Sequence, residues 1–177
     1  MFEIRKAGLN DIGIICSLGA QTFMDAYEAN NTKEDLEAYI LKSFSKKKIE
    51  EELNTVNTVC YLCYDCDKPM GYSKLNFDTS CEAFESENVT ELQRIYVLKE
   101  YYNHKAGKEI MHHAIELCKE KGYDYLWLGV WKENHRALKF YSSWGFENIG
   151  EREFTVGSKK YEDYYLRKKL KKTFKIL

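Results

Sequence analysis

The stretch from Glu91 to Phe146 constrains the fold more than any other part of the sequence. Its pattern predicts a strand, a polar turn, an amphipathic helix, a second strand and a second helix, with Gly107 in the turn and Asn134 at the start of the last helix. This order brings the N–H groups of a helix amino terminus beside a strand edge. Such an arrangement can bind a phosphorylated cofactor through main chain alone.

The rest of the chain predicts helices, a hairpin and two closing strands. Asn10, Thr32 and Ser45 are typical helix N-caps, and Thr32 with Asp35 has the pattern of a capping box. The predicted segments are a strand over 2–5, a helix from 10 to about 27, helices after 32 and 45, a hairpin of strands 58–64 and 71–77 with Pro69 in its turn, and closing strands near 146–156 and 161–167. We expect an α/β (α+β) fold with one mixed sheet and helices on both faces, forming a single domain over residues 1–177.

Composition places the chain among ordinary globular proteins. Hydrophobic residues make up 44% and charged residues 31%, and no apolar run reaches the roughly 18–20 residues that a membrane span needs. The first residues lack the apolar stretch of a signal peptide. We therefore expect a cytoplasmic protein without a membrane partner.

Charge is distributed unevenly along the chain. From Arg167 onward there are six Lys or Arg and no acid, so the preceding part is acidic. An acidic surface favours cationic small molecules over nucleic acid. We therefore expect no nucleic-acid partner, and we interpret the basic segment at about 168–177 as a solvated tail.

Three of the six cysteines, Cys60, Cys63 and Cys66, have a spacing that resembles a metal or iron–sulfur motif. The surrounding residues alternate as in a strand, which would place Cys60 and Cys66 on one face and Cys63 on the other. One metal ion cannot easily collect all three, and no fourth ligand follows at a useful spacing. We expect free thiols in a reducing compartment, and no metal.

Two motifs in the 91–146 stretch are distinctive. One is Arg94-Ile-Tyr-Val97, and the other is Asn134-x-x-Ala-x-x-Phe-Tyr141-x-x-x-Gly-Phe146. Both closely resemble the core of the GNAT acetyltransferases, which transfer an acetyl group from acetyl-CoA to an amine. The resemblance implies the GNAT acyl-CoA N-acyltransferase fold, whose central mixed sheet is splayed between strands 4 and 5, here 90–98 and 123–130. It also implies acetyl-CoA as the cosubstrate.

The same resemblance implies a set of residues that hold acetyl-CoA. The pyrophosphate loop of the family, Gln/Arg-x-x-Gly-x-Gly/Ala, aligns with residues 102–107, where Tyr102 and Lys105 depart from the pattern and Gly107 keeps it. Any residue that tolerates the loop can offer its N–H group to phosphate. The implied binding residues are Ile95, Tyr96, Val97, Tyr102, Asn103, His104, Lys105, Ala106, Gly107, Lys108, Asn134 and Tyr141. Asn134 is equally a good helix N-cap.

The expected catalytic residues are Tyr141 and Glu91. Tyr141 matches the family's donor to the leaving thiolate, and its alternative role is to pack the helix on the sheet. Glu91 matches a position where family members often carry a base, which the amine needs before it attacks. Its alternative is an exposed carboxylate at a strand end. Main chain near Ile95 is the expected donor to the thioester carbonyl.

Three further motifs resemble bacterial spermidine/spermine N-acetyltransferases: Gln21-Thr-Phe-Met-Asp-Ala-Tyr27, Asn31-Thr-Lys-Glu-Asp-Leu36-Glu-Ala-Tyr39 and Glu91-Leu-Gln-Arg-Ile-Tyr-Val97. They imply a polyamine such as spermidine or spermine as acceptor. The carboxylates that could bind it, each otherwise a solvated surface acid, are Glu28, Glu34, Asp35, Glu82, Glu85, Glu87 and Glu91. Acetylation of a protein lysine, an N-terminus or another small amine stays open, as does a non-catalytic acetyl-CoA sensor. A homodimer is also open, since dimers are frequent in the superfamily.

Overall fold

The computed structural model of the protein describes residues 2–83, 88–102, 104–156 and 159–170. Its strands are β1 (Phe2–Lys6), β2 (Thr58–Asp65), β3 (Lys68–Phe77), β4 (Val89–Val97), β5 (Tyr125–Trp131), β6 (Glu147–Val156) and β7 (Lys159–Lys169). Its helices are α1 (Ile12–Tyr27), α2 (Lys33–Phe44), α3 (Lys46–Asn54), α4 (Ala106–Glu120) and α5 (His135–Ser143). The predicted order of helices, hairpin, β-α-β-α unit and closing strands is confirmed.

Within the described residues, the seven strands form one sheet in the order β1-β2-β3-β4-β5-β7-β6. β4 and β5 run parallel, and the other neighbouring strands are antiparallel. The parallel ladder is short, because Val89–Glu91 pair with Tyr125–Trp127 and the pairing then stops. This is the expected splay between the fourth and fifth strands, and the α/β mixed-sheet class is confirmed.

A bulge in β4 follows the last parallel pair. Leu75 of β3 pairs with Leu92 and its neighbour Lys74 pairs with Arg94, so Gln93 is an extra residue in β4. A bulge bends its strand and increases the local twist. It therefore helps β4 to turn away from β5 directly after Glu91.

Helices cover both faces of the sheet. On the face that we call the α1–α3 face, Ile15, Leu18, Phe23, Leu36, Phe44 and Ile49 pack on Cys60, Leu62 and Tyr72. On the opposite face, the α4–α5 face, Met111, Ala114, Ile115 and Tyr141 pack on Leu75, Leu92, Leu126 and Leu128. Burial of each large apolar side chain contributes about 1.5–3 kcal/mol. The α4–α5 core includes residues of both β4 and β5, so it holds the two sides of the splay together.

Two of the three predicted helix caps are confirmed. Thr32 Oγ1 accepts a hydrogen bond from the N–H of Asp35, and Ser45 Oγ accepts one from the N–H of Lys48. The prediction for Asn10 is wrong, because Asn10 lies inside a 3₁₀ turn (Leu9–Asp11) and α1 begins after Asp11. Asp11 instead accepts hydrogen bonds from Gly8 N–H and the Arg5 guanidinium, which lower the pKa of its carboxyl.

The β2–β3 hairpin is tighter than the sequence predicts. Asp65 pairs with Lys68, so the turn consists of Cys66 and Asp67, and Cys66 has a positive φ of 52°. Pro69 belongs to β3 rather than to the turn, at a level that β4 does not reach. A proline there removes no hydrogen bond to β4.

The prediction that Cys60 and Cys66 share a strand face is wrong, because β2 ends at Asp65. Cys66 is exposed in the turn and does not share a strand face with Cys60. Cys60 is buried in the α1–α3 core, whereas Cys63 is buried on the other side of the sheet against Ala106 and Ile110. The two buried thiols therefore point away from each other.

β7 continues through Lys169, two residues into the segment that the sequence predicts to be a solvated tail. Lys168 donates a hydrogen bond from Nζ to the carbonyl of Trp144, and the N–H of Leu170 donates to the carbonyl of Asp124. The rest of that segment, from 171 onward, lies outside the described residues. None of the helices in the described ranges is long and apolar enough to cross a membrane.

Candidate active site

The gap between β4 and β5 is the centre of the candidate site. Ile95, Tyr96 and Val97 pair with β3 on one side, and no other described strand pairs with them on the side facing β5. Main-chain N–H and C=O groups on an unpaired edge can bond to an extended ligand. The ring of Tyr96 lies on the α1–α3 face, against Phe44 and Tyr72.

The amino terminus of α4 lies just beyond the end of β4. The N–H groups of Lys108 and Glu109 donate to the carbonyl of Lys105, at 2.9 and 3.1 Å. Those of Ala106 and Gly107 make no hydrogen bond to another described residue, and they lie at the positive end of the helix. Lys105 has a φ of 64°, a left-handed conformation. This is the position of the first glycine in the loop pattern, and glycine is the residue that adopts such a φ without strain.

Tyr102 and Arg136 form a stacked pair beside this loop. The guanidinium carbon of Arg136, in the first turn of α5, lies 3.3 Å from the centre of the Tyr102 ring. Tyr102 stands where the loop pattern has Gln or Arg, so the stack places a cation from another helix at that position. Sequence reasoning missed Arg136, although it lies only two residues after Asn134.

Asn134 begins α5. Its Oδ1 accepts a hydrogen bond from the N–H of Ala137 at 3.1 Å, so Asn134 is the N-cap. This bond uses the oxygen of the side-chain amide and leaves the two N–H donors of Nδ2 free for another partner. The capping role of Asn134 is confirmed, and its contact with a cofactor stays a prediction.

Tyr141 lies on α5 with only 8% of its surface exposed. Its ring packs against Phe140 and Phe146. Burial raises the pKa of Tyr141 above the ordinary value of 10, the neighbouring Tyr96 adds to the increase, and the positive charge of Arg136 opposes it. Tyr141 is therefore a neutral phenol at physiological pH, able to donate a hydrogen bond.

Glu91 occupies the closed end of the gap, where β4 and β5 are still paired. Only 7% of its surface is exposed, so the expected alternative of an exposed carboxylate at a strand end is wrong. Its Oε2 accepts a hydrogen bond from Asn76 Nδ2 at 2.6 Å, and Asn76 Oδ1 accepts one from Thr58 Oγ1 at 3.0 Å. Glu91 is held by this chain of side chains across β4, β3 and β2.

A buried charge cluster fixes β4 after the bulge. Glu52 of α3 accepts two hydrogen bonds from Arg94, at 2.7 and 3.2 Å, and pairs with Lys74 at 2.9 Å. Arg94 also stacks on Phe44. A buried carboxylate shared between two cations resists rearrangement, because separating the charges leaves one of them uncompensated. The cluster therefore ties α3 to β3 and to β4, the strand that carries the open edge.

The model of the acetyltransferase (GNAT) family matches residues 21–146, which is more than half of the chain. The chain belongs to the GNAT family. This assignment makes the protein an acetyltransferase.

Curated relatives of this GNAT protein match over nearly the whole chain. An uncharacterized N-acetyltransferase of Lactobacillus delbrueckii subsp. lactis is 29% identical over 168 residues, which cover 95% of this chain and 97% of that protein. The spermidine N(1)-acetyltransferase of Thermoplasma acidophilum is 26% identical over 166 residues, covering 90% and 98%.

Solved structures share the fold. The PaiA N-acetyltransferase from Thermoplasma acidophilum, crystallised in complex with coenzyme A, has a TM-score of 0.77 at 22% identity, covering 96% of this chain and 99% of that one. The ribosomal-protein-S18-alanine N-acetyltransferase of Escherichia coli has a TM-score of 0.72 at 15% identity, covering 100% and 99%. At these identities the likeness concerns the fold alone.

Several of the predicted site residues of this GNAT protein border the gap: Val97 and Phe140 are the neighbours of Gly107, and Arg136 of α5 stacks on Tyr102. The strand residues form its open edge, α4 and α5 contribute their amino-terminal ends, and Tyr141 lies on α5. His104, Lys105 and Lys108 carry exposed side chains at the start of α4. Asn103 lies outside the described residues, and the individual contacts with a cofactor stay predictions.

The acids expected to bind an amine are less well placed. Glu28, Glu34 and Glu82 are exposed, and Glu28 is 4.0 Å from Lys99. Glu85 and Glu87 lie outside the described residues. The structure offers a different carboxylate on the α1–α3 face, that of Asp163 in β7, which is almost completely buried. An acid between two tyrosines of a predicted strand, Tyr161 and Tyr165, was its signal in the sequence.

Proposed function

We propose that the protein transfers an acetyl group from acetyl-CoA to a primary amine of a polyamine such as spermidine or spermine. The observation that carries the proposal is the open edge of β4, placed between the amino terminus of α4 and the phenol of Tyr141. The similarity to a spermidine N(1)-acetyltransferase and the acidic balance of residues before Arg167 support a polyamine as the acceptor.

The residues around the gap fit the chemical groups of acetyl-CoA, which supplies an acetyl group activated as a thioester. The N–H groups of Ala106 and Gly107 and the guanidinium of Arg136 suit a pyrophosphate. The edge formed by Ile95–Val97 suits the amides of the pantetheine arm. Main-chain N–H near Ile95 is the proposed donor to the carbonyl oxygen, where it would stabilise negative charge.

Glu91 is the proposed base. An alkylammonium with a pKa of ~10.4 is mostly charged at pH 7, so removal of its proton costs roughly 4–5 kcal/mol. Glu91 and Ile95 are four residue steps of strand apart, at most roughly 13 Å. Glu91 therefore acts through water rather than by direct contact with the amine.

Tyr141 is the proposed hydrogen-bond donor to the leaving sulfur. An alkyl thiol has a pKa of ~8.5, whereas the pKa of Tyr141 lies above 10. Complete transfer of the phenolic proton to the thiolate is therefore uphill by at least ~2 kcal/mol. A hydrogen bond donated inside a buried site stabilises the thiolate without that transfer.

The test is release of CoA from acetyl-CoA in the presence of spermidine, spermine, a lysine peptide or an aminoglycoside, with an amine-free blank. We expect release that depends on spermidine or spermine. Preference for the lysine peptide would instead indicate a protein acetyltransferase. No release with any amine, together with acetyl-CoA binding by calorimetry, would indicate a sensor.

A single domain over 1–177 and a cytoplasmic location stay predictions.

A further inference from the structure

Asp163 is a buried carboxylate that is only partly paired. Only 4% of its surface is exposed. Its Oδ2 accepts one hydrogen bond from Arg152 Nε, at 3.3 Å. Its Oδ1 is also buried and has no hydrogen-bond partner in the described part of the chain. A buried acceptor without a partner costs free energy, more so when it is charged, and such atoms in native proteins call for an explanation.

Aromatic rings line the same place. Trp131 of β5 is directly opposite Asp163 in the ladder with β7, and Tyr161 precedes it by two residues, so all three side chains lie on one face. The rings of Tyr27, Trp131 and Tyr161 contact one another, with centroids 5.2–5.7 Å apart. Tyr161 is fixed by a hydrogen bond from its hydroxyl to Asn31 Oδ1. Ring faces attract a cation, and a carboxylate beside them adds a full negative charge.

This cluster lies next to the reaction gap on the α1–α3 face. Burial raises the pKa of Tyr96 to about 12, and the negative charge of Asp163 is among the contributions that add to the increase. Tyr96 in turn is near Tyr141. Asp163 is one strand beyond β5, and adjacent strands are about 4.8 Å apart. Asp163 is therefore two strand spacings, about 10 Å, from β4. A distance of that size suits a second nitrogen of the acceptor better than the nitrogen that reacts at the open edge of β4.

Arg152 is the cation that pairs with Asp163, through Nε to Oδ2 at 3.3 Å. Its guanidinium lies over Gly129, in the space that a Cβ atom would need, and near the ring of Tyr165. Because Arg152 contacts Oδ2 through Nε, it leaves the hydrogen-bonding capacity of the other carboxylate oxygen, Oδ1, unused.

We infer that Asp163, with the rings of Tyr27, Trp131 and Tyr161, binds a protonated nitrogen of the acceptor that is not itself acetylated. The inference rests on the proposed function and narrows it. The preferred acceptor is a diamine or polyamine, in which one ammonium donates a hydrogen bond to Asp163 Oδ1 while another amino group reaches the thioester. Monoamines lack the group that Asp163 binds.

The direct test is calorimetric titration of spermidine into the protein saturated with CoA, which requires no turnover. Asp163→Asn keeps the shape of the side chain and removes its charge. We expect it to weaken spermidine binding at least tenfold, as for loss of a charged hydrogen-bond partner. Glu162→Gln is the matched control, because Glu162 is the adjacent residue of β7 and has a 71% exposed side chain. Unchanged binding to Asp163→Asn, or no binding to the unaltered protein, would overturn the inference.

A kinetic test compares putrescine with n-butylamine, which has the same carbon chain and one amino group fewer. We expect Asp163→Asn to lower kcat/KM for putrescine at least tenfold and to leave that for butylamine within about twofold. Equal losses for both amines would mean that Asp163 stabilises the fold or binds the amine that reacts. That result would overturn the inference. If the unaltered protein acetylates neither these amines nor spermidine and spermine, the proposed function fails and the binding titration still decides the inference.

Thermal unfolding shows whether Asp163→Asn folds. If it does not, Trp131→Leu serves as a second variant, because it keeps apolar bulk and removes a ring face. We expect it to weaken spermidine binding several-fold. Spermidine affinity equal to that of the unaltered protein would count against the cluster.

Discussion

The hydroxyl of Tyr141 can be separated from its ring by one substitution. Tyr141→Phe keeps the packing on Phe140 and Phe146 and removes the proposed donor to the leaving sulfur. We expect kcat to fall about a hundredfold, in the range of other single donors to developing charge. Acetyl-CoA affinity should stay within about twofold. Steady-state kinetics and calorimetry measure the two effects, and an unchanged kcat would remove Tyr141 from the chemistry.

Lys105 combines a positive charge with a strained backbone. Its left-handed φ is one that glycine adopts freely, so Lys105→Gly should raise the free energy of unfolding by about 0.5–1 kcal/mol after allowing for the greater freedom of the unfolded chain. Urea denaturation measures this. Lys105→Ala is the control, because it removes the same charge and keeps the strain.

The two Lys105 variants also report on the cofactor. If the Lys105 charge helps to hold the pyrophosphate, both variants should bind acetyl-CoA more weakly, by similar factors. A gain in stability by Ala equal to that by Gly would contradict the backbone explanation.

At the scale of elements, Asn134 caps the start of α5, and a contact of the same side chain with acetyl-CoA is proposed. Asn134→Ala removes the N-cap and should lower the free energy of unfolding by about 1 kcal/mol. Asn134→Asp keeps a capping oxygen and loses the N–H donors, so its stability should remain close to that of the unaltered protein. A weaker acetyl-CoA affinity in the Asp variant would assign the cofactor contact to Nδ2. Equal stability of the Ala and unaltered proteins would contradict the capping role.

Elements that begin with a local signal could be predicted, and those that depend on distant partners could not. Thr32 and Ser45 cap helices through N–H groups three residues away, which the sequence displays. Asn10 looks equally suitable, but Asp11 bonds Gly8 N–H and Arg5 of β1 and shifts the start of α1. The bulge at Gln93 depends on the register with β3, and no pattern within β4 reveals it.

At the scale of the whole molecule, buried thiols and phenols should make the fold sensitive to alkali. Burial raises the pKa of Cys60 and Cys63 to about 11 and that of Cys118 to about 12. Unfolded thiols titrate near ~8.5. Above that pH the unfolded chain loses protons that the folded chain keeps, so stability falls as pH rises, until the folded pKa is reached.

We expect a loss of about 2 kcal/mol per buried thiol between pH 8.5 and pH 10. Urea denaturation at pH 7, 8.5, 9.5 and 10 measures it. Cys63→Ala should reduce the loss by one thiol's share. A free energy of unfolding that is constant up to pH 10 would contradict this account.

The outline of the candidate site could be predicted from the sequence because GNAT motifs are contiguous, as in Asn134–Phe146. The parts that the sequence did not reveal join distant segments. Arg136 of α5 stacks on Tyr102, which precedes α4, and Asp163 lies near Tyr27 only after the chain has folded. Each of these pairs brings together residues more than 30 positions apart or on different elements, which composition and periodicity do not report.

The short ladder between β4 and β5 has a consequence for how the molecule holds together. Three residue pairs supply few main-chain bonds, so cohesion between the halves β1–β4 and β5–β7 depends largely on side chains of the α4–α5 core. An extended amide-bearing ligand along Ile95–Val97 would lengthen the sheet where the polypeptide leaves it incomplete. The bound cosubstrate would thus stabilise the sheet as well as react. After its release, the two halves would again be joined by only the short β4–β5 ladder and by side-chain packing.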